Sequence, residues 1–153
     1  MVPSKAVRSF LPWLLLAALA CAHTPRKADP ALLRTTVDQF HERLHWNDFH
    51  AASGALVPER RERFLKARSA RRDDKDLTVT ECEVVNVDAR EGKALITTRM
   101  RWIRLPSASE QSDEVVSEWV DYDGTWLLAR QTPGPFEELA EEYTRPADAG
   151  TGG

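Results

Sequence analysis

The chain has 153 residues, 21 of them basic and 24 acidic, for a net charge of −3. That length has room for one domain and no more. The mild acidity favours solubility and argues against a nucleic-acid partner.

At the N-terminus, Lys5 and Arg8 precede Phe10 to Ala20, a run that is apolar throughout except for Pro12. As a helix it would span about 16 Å, roughly half the bilayer core. That length suits a signal-peptide core, not a permanent span. The tetrad that follows, Ala18-Leu19-Ala20-Cys21, resembles the bacterial lipobox, in which small residues precede an invariant cysteine. The family prefers Leu where this chain has Ala18. The resemblance implies cleavage before Cys21, a diacylglyceryl group on its thiol and an acylated amino terminus. Two or three acyl chains anchor stably where one is marginal. Ala22 stands where Asp would retain such a protein in the inner membrane, so the expected place is the outer membrane, facing the periplasm. Removing residues 1–20 takes away two basic residues and no acidic one, leaving a net charge of about −5. With Cys21 lipidated, Cys82 has no partner for an internal disulfide and reads as a buried, inert thiol.

After a tether over 21–30, the domain is expected over 31–144 and a disordered tail over 145–153. Asp29-Pro30 reads as an N-cap with proline at the first helical position. Leu33, Val37, Phe40 and Leu44 then recur at steps of three and four, an amphipathic helix ending near Asn47. Asp48 caps a second short helix that stops at Gly54. Pro58 opens a third, Glu59 to about Arg72, with Phe64 and Leu65 as its apolar stripe. The period then changes. Leu77 to Ala89 is a strand with an irregularity near Cys82, and Arg90 to Gly92 a turn. Ala94, Ile96, Thr98, Met100 and Trp102 share one face of a second strand. Pro106 to Asp113 is expected as a polar loop and Glu114 to Tyr122 as a third strand. Asp123-Gly124 gives a hairpin turn into a fourth, Thr125 to Gln131. Pro133-Gly134-Pro135 ends the sheet. Phe136, Leu139, Ala140 and Tyr143 have the spacing of a last short helix.

Helices first, then strands joined by hairpins, predict an α+β domain. The helix order, Asn47-Asp48-Phe49 after the first helix, and the Trp119…Asp123-Gly124-Thr125-Trp126 hairpin resemble the nuclear transport factor two-like, or SnoaL-like, superfamily. The resemblance covers about Ala31 to Gln131. It implies a cone: N-terminal helices packed on a curved four-stranded antiparallel sheet, with a short C-terminal helix and an apolar pocket at the wide end. Phe40, Met100, Trp102, Trp119 and Trp126 are the candidates to line that pocket, or else simply to fill the core. Enzymes of the family set an aspartate base and a tyrosine or acidic donor inside the cone. Those roles do not carry over, because Asp38 lies off its helix's apolar stripe and Tyr122 sits beside a turn.

His41-Glu42-Arg43-Leu44-His45 matches the zinc-peptidase pattern HExxH literally. On a helix both imidazoles share a face and the glutamate could act as general base. Against this, Arg43 puts a charge where the resemblance requires an uncharged residue. The third ligand is also missing: Asp48 and Ala51 stand where Gly and His belong, and His50 is one residue out of step. Glu59 and Glu62 are surrounded by arginines. Too few residues separate Cys21 from His41 for a substrate-binding sheet. His41 is expected at the border of the apolar stripe and His45 nearer solvent, so no metal or other cofactor is assigned and these two histidines are weak candidates only.

The third helix is strongly basic, with Arg60, Arg61, Arg63, Lys66, Arg68, Arg71 and Arg72, then Lys75. It reads as a solvated face balanced by Glu59, Glu62, Asp73, Asp74 and Asp76, the alternative being contact with anionic headgroups. Arg99 and Arg101 are expected on the outer sheet face, opposite to Trp102, with Glu118 as a cross-strand partner. The expected function is that of a membrane-anchored, non-enzymatic envelope lipoprotein binding a partner protein or an apolar small molecule. A cone-fold enzyme using general acid–base chemistry is the alternative, and a zinc hydrolase a distant third. A filled cone would favour the first, and an interior carboxylate the second.

Overall fold

In the computed structural model, residues 26–70 and 76–147 are described. The elements run α1 (Pro30–His45), α2 (Phe49–Ser53), α3 (Pro58–Ala70), β1 (Leu77–Arg90), β2 (Lys93–Arg104), β3 (Glu110–Tyr122) and β4 (Thr125–Thr132). A single 3-10 turn, Glu137–Leu139, follows. The four strands form one open antiparallel sheet in sequence order. The domain is therefore α+β, with three α-helices among the described residues.

Local chemistry sets the helix starts. The Asp29 side chain accepts from the Ala31 amide at 2.9 Å, and Pro30 needs no amide of its own there. Asp48 caps α2 in the same way, accepting from Ala51 at 3.0 Å. The stripe of α1 is buried as its spacing requires: Leu33, Val37, Phe40 and Leu44, with His41 beside them. The helix ends at His45, and Asn47 turns the chain with a positive φ of 55°.

The sheet has a buried inner face against α1 and a charged outer face. Ala94, Ile96, Thr98, Met100 and Trp102 all point inward, joined by Val79 from β1 and Val115 and Trp119 from β3. Trp119 meets Phe40 edge-on at 5.9 Å. Each such side chain contributes roughly 1.5–3 kcal/mol by leaving water. The outer face carries cross-strand ion pairs: Arg99 with Glu83 at 2.7 Å, Arg101 with Glu81 at 3.3 Å, and Lys93 with Glu118 at 2.7 Å. Glu118 thus shares the expected face, but the register sets it opposite Leu95, where it reaches Lys93 and not an arginine. The Asp123-Gly124 turn has φ of 53° and 85°, the doubly left-handed form that a tight hairpin needs.

Three boundaries differ from expectation. β3 begins at Glu110, not after Asp113, because β2 extends to Arg104 and pairs Ile103 with Glu110 and Trp102 with Gln111. Its first residues, Glu110 to Glu114, are all exposed, so backbone pairing and not burial holds them there. The last helix is only the one turn at Glu137–Leu139. The Ala140 carbonyl accepts from Arg130 at 3.1 Å, and those of Glu141 and Glu142 accept from Arg60 at 2.5 and 3.1 Å. The turn closes through Leu139 donating to Phe136 at 2.9 Å and Ala140 to Glu137 at 3.1 Å, the tight pattern that seldom runs beyond one turn. Arg145, expected in a disordered tail, instead lies over the Tyr122 ring at 4.3 Å and pairs with Asp123.

The third helix is not a solvated basic face. Arg60 and Arg68 are buried, Arg63 pairs with Glu141, and Arg61 donates to the Leu56 carbonyl at 3.0 Å. Arg60, Arg63 and Arg68 bind the segment from Phe136 to Tyr143 onto α3 through Glu138, Glu141 and Glu142. Arg71, Arg72, Asp73, Asp74 and Lys75 lie outside the described residues. Between α2 and α3, Val57 donates to Leu128 at 3.0 Å and Leu128 to Ala55 at 2.7 Å, which covers part of the β4 edge.

Candidate functional site

The richest concentration of chemistry lies where α1 meets the edge of β1. Asp38, His41, Glu42 and His45 stand at i, i+3, i+4 and i+7, so a single helical face turns all four toward Val79, Thr80, Glu81 and Cys82. Together they border a cleft of about 370 Å³. The irregularity expected near Cys82 is two register shifts, at Val79/Glu81 and Val84/Asn86, that flank it. They bend the strand and interrupt its outward-facing hydrogen-bonding edge. One of the edge carbonyls, that of Val79, accepts from His45 Nδ1 at 3.1 Å.

The groups in this cleft are tuned by burial. His41 is 8% exposed, and the loss of solvent lowers its pKa from 6.5 to about 4, which the nearby Asp38 only partly offsets. Its imidazole is therefore neutral at physiological pH. Burial, with a smaller push from Glu81, raises the Cys82 thiol to about 12, so it carries no nucleophilic thiolate. Asp38 is held by Arg34 at 2.9 Å on the solvent side. Among the described residues, no group of three or more His, Cys, Asp or Glu side chains is arranged to hold a metal. The general-base geometry of a zinc peptidase is not assembled.

A second cleft, of about 270 Å³, lies beside the start of α1 and is bordered by Arg26, Asp29, Leu32 and the hairpin from Asp123 to Trp126. Here the last residues before α1 are strapped to the hairpin ends. Ala28 donates to Asp121 at 2.9 Å, Trp126 Nε1 donates to the Asp29 carbonyl at 2.8 Å, and Lys27 pairs with Glu91. A Cβ on Gly124 would come within 2.8 Å of Arg26, so this glycine serves both the turn and the strap.

Of the candidate pocket residues, Phe40, Met100, Trp102 and Trp119 are packed in the core and border neither cleft. Trp126 alone reaches a cleft, with its ring buried. Trp119 Nε1 donates to Ser117 Oγ at 3.0 Å, which in turn donates to the Ile96 carbonyl at 3.2 Å, so its polar edge is satisfied inside the core. Cys21 lies outside the described residues. Sequence reasoning found His41 and His45 but missed the opposing wall of their cleft. Nothing local links that helix to Glu81 and Cys82; only strand placement does. It also missed the burial of Arg60 and Arg68, which depends on a segment far along the chain.

No protein-family model matches the chain. No curated protein matches it either. Among solved structures, the solution structure of a SEC-C motif containing protein from Rhodopseudomonas palustris is similar, with a TM-score of 0.50 at 18% identity. The match covers 71% of this chain and 80% of that one. A likeness at that identity is one of fold.

Proposed function

We propose that the chain is an exported lipoprotein, anchored in the outer membrane through lipid on Cys21, whose cone-like domain of the nuclear transport factor two-like kind binds a partner protein without catalysing a reaction. The observation that carries the non-enzymatic reading is the filled interior. Phe40, Met100 and Trp119 fill the space between α1 and the sheet, each at most 1% exposed. The buried polar residues among those described are His41, Ser53, Arg60, Arg68, Thr98, Ser117 and Gln131, and the one enclosed carboxylate seen among them and their partners, Glu138, is paired with Arg68. A general acid–base mechanism in that interior would need one with a raised pKa. The same filling favours a partner protein over an apolar ligand inside the cone.

The strap at Arg26 supports the anchor reading. Five residues reach at most about 18 Å, so a lipid on Cys21 would hold the hairpin ends near the membrane. The far end of α1, about 24 Å along its axis, would then face outward with Trp46, 73% exposed, as an aromatic contact for a partner. No helix among the described residues is long and apolar enough to cross a membrane. The fold shared with the SEC-C motif containing protein carries no activity to this chain. Fatty-acid labelling tests the reading: Cys21→Ser is expected to abolish incorporation and leave unprocessed precursor. Normal labelling of that variant would end it. Saturable binding of an apolar dye, lost in Trp102→Ala, would replace the filled interior with a ligand pocket.

A further inference from the structure

We propose that α3 and the outer side of β4 form a docking groove for an extended acidic peptide with an aromatic residue, held closed by the chain's own segment from Ala140 to Arg145 as a displaceable strap. The inference rests on the partner-binding reading above, whose partner it describes, and does not involve the anchor at Cys21. The floor of the groove is a second apolar cluster, separate from the main core. Val57, Leu127 and Ala129 form it, with Val120 and Tyr122 packed against them. Tyr143 of the strap packs on the same cluster, and its hydroxyl donates to Glu59 at 3.5 Å.

The walls of the groove are cationic. Arg60, only 7% exposed, donates to the carbonyls of Glu141 and Glu142, and Arg130 donates to that of Ala140 at 3.1 Å. Bonds to main-chain atoms give affinity for an extended segment whatever its side chains, and flanking pockets give the selection. Here Arg63 selects a carboxylate by pairing with Glu141, and the apolar cluster selects the ring two residues further on. The strap is thus the template of the ligand: a carboxylate, one residue of any kind, then an aromatic side chain.

The strap is also weakly held. Phe136 and Leu139 are buried in the main core, whereas from Glu141 to Arg145 every residue is exposed except the half-buried Tyr143. Among the described residues, that stretch makes no backbone–backbone hydrogen bond. Its ion pairs, Arg63 with Glu141 and Arg145 with Asp123, lie in solvent and add little. Such a segment opens locally while its neighbours stay folded. Opening strips Arg60 of both carbonyls, and a buried guanidinium without acceptors is costly. The backbone of an incoming peptide removes that cost, so the open groove favours a peptide over a bare apolar surface.

The test uses a fluorescein-labelled peptide with the sequence of residues 139–145 and reads its anisotropy against the full-length chain. A Glu141→Lys, Tyr143→Ala double variant loosens the strap and leaves the groove intact, with circular dichroism confirming the fold. One peptide per chain is expected to bind this variant at least about tenfold more tightly than wild type, where the strap competes at high effective concentration. Adding Arg63→Ala, or placing serine at the tyrosine of the peptide, should weaken binding. In the wild-type chain, hydrogen exchange should show the amides of residues 141–145 opening while those of Leu127 and Ala129 stay protected. No saturable binding to the folded variant, equal affinity for both chains, or strap amides as protected as the strand would each overturn the groove. Dimers of the variant that the peptide does not dissolve would make a second copy the occupant, and overturn the peptide reading. Labelling at Cys21 and dye binding report on the anchor and the filled interior, so failure here is distinguishable from failure there.

Discussion

Three side chains able to carry positive charge, His41, Arg60 and Arg68, are buried among the described residues, and Arg68 and His41 resolve the conflict in opposite ways. Arg68 lies with its guanidinium 5.1–5.8 Å from the ring centroids of Phe49, Phe64 and Phe136, and it meets the Glu138 carboxylate at 2.8 Å. It cannot lose its proton, so the fold brings it a carboxylate and three aromatic faces. His41 feels the Asp38 carboxylate, but Arg34, which holds that carboxylate, acts the other way. It discards the charge instead. Burial sets the same desolvation problem in both places, and the group's own basicity decides whether a partner must be provided.

The sharpest way to break the comparison is to remove the arginine. Arg68→Ala takes the guanidinium away from the rings of Phe49, Phe64 and Phe136 and from Glu138, itself only 9% exposed in its side chain. A loss of about 3–5 kcal/mol is expected from urea unfolding, the usual cost of removing one partner of a buried pair. Arg68→Met combined with Glu138→Leu should recover most of it, because an apolar isostere pair escapes the desolvation penalty altogether. A single variant as stable as wild type would mean that Arg68 is not what holds the Phe136 segment on α3.

The histidine makes a prediction in pH. Its folded pKa is about 4 and its unfolded one 6.5, so between those values the unfolded chain binds more protons than the folded one. Stability supplied by a neutral His41 is therefore complete above pH 6.5 and is lost as pH falls toward 4. The full effect is on the order of 3 kcal/mol. His41→Leu should remove that part of the acid sensitivity while leaving the carboxylate part, so the difference between the two unfolding curves isolates it. Parallel curves for the two proteins would show that His41 keeps its proton in the fold.

The arginine is also where sequence reading failed, and the histidine where it succeeded. His41 at the border of the apolar stripe follows from helical phase alone, as does the inward set from Ala94 to Trp102 from strand parity. Local periodicity carries both. The basic helix misled because its acids interleave in sequence while its true partners, Glu138, Glu141 and the carbonyls near them, arrive from the chain's far end. The last helix kept its apolar spacing but closes only as a single 3-10 turn, with Leu139 donating to Phe136 and Ala140 to Glu137. The start of β3 was hidden for the opposite reason. Its paired residues bury nothing, so no alternation marks them.

Arg101 supplies the control that gives the comparison its scale. It too is an arginine in contact with a glutamate, Glu81 at 3.3 Å, but its side chain is 46% exposed. Water screens the pair and solvates either partner when the other is removed, so little is gained on forming it and little is stranded on breaking it. Arg101→Ala should change stability by less than about 0.5 kcal/mol, and moderate salt should reduce even that. The same substitution chemistry at Arg68 is expected to cost several times more, so the contrast isolates burial from charge pairing. A large loss at Arg101 would mean that the outer face of the sheet is itself covered, by a partner or by a second copy. Repeating the measurement across protein concentrations would tell the second copy apart, since only self-association makes the loss depend on concentration.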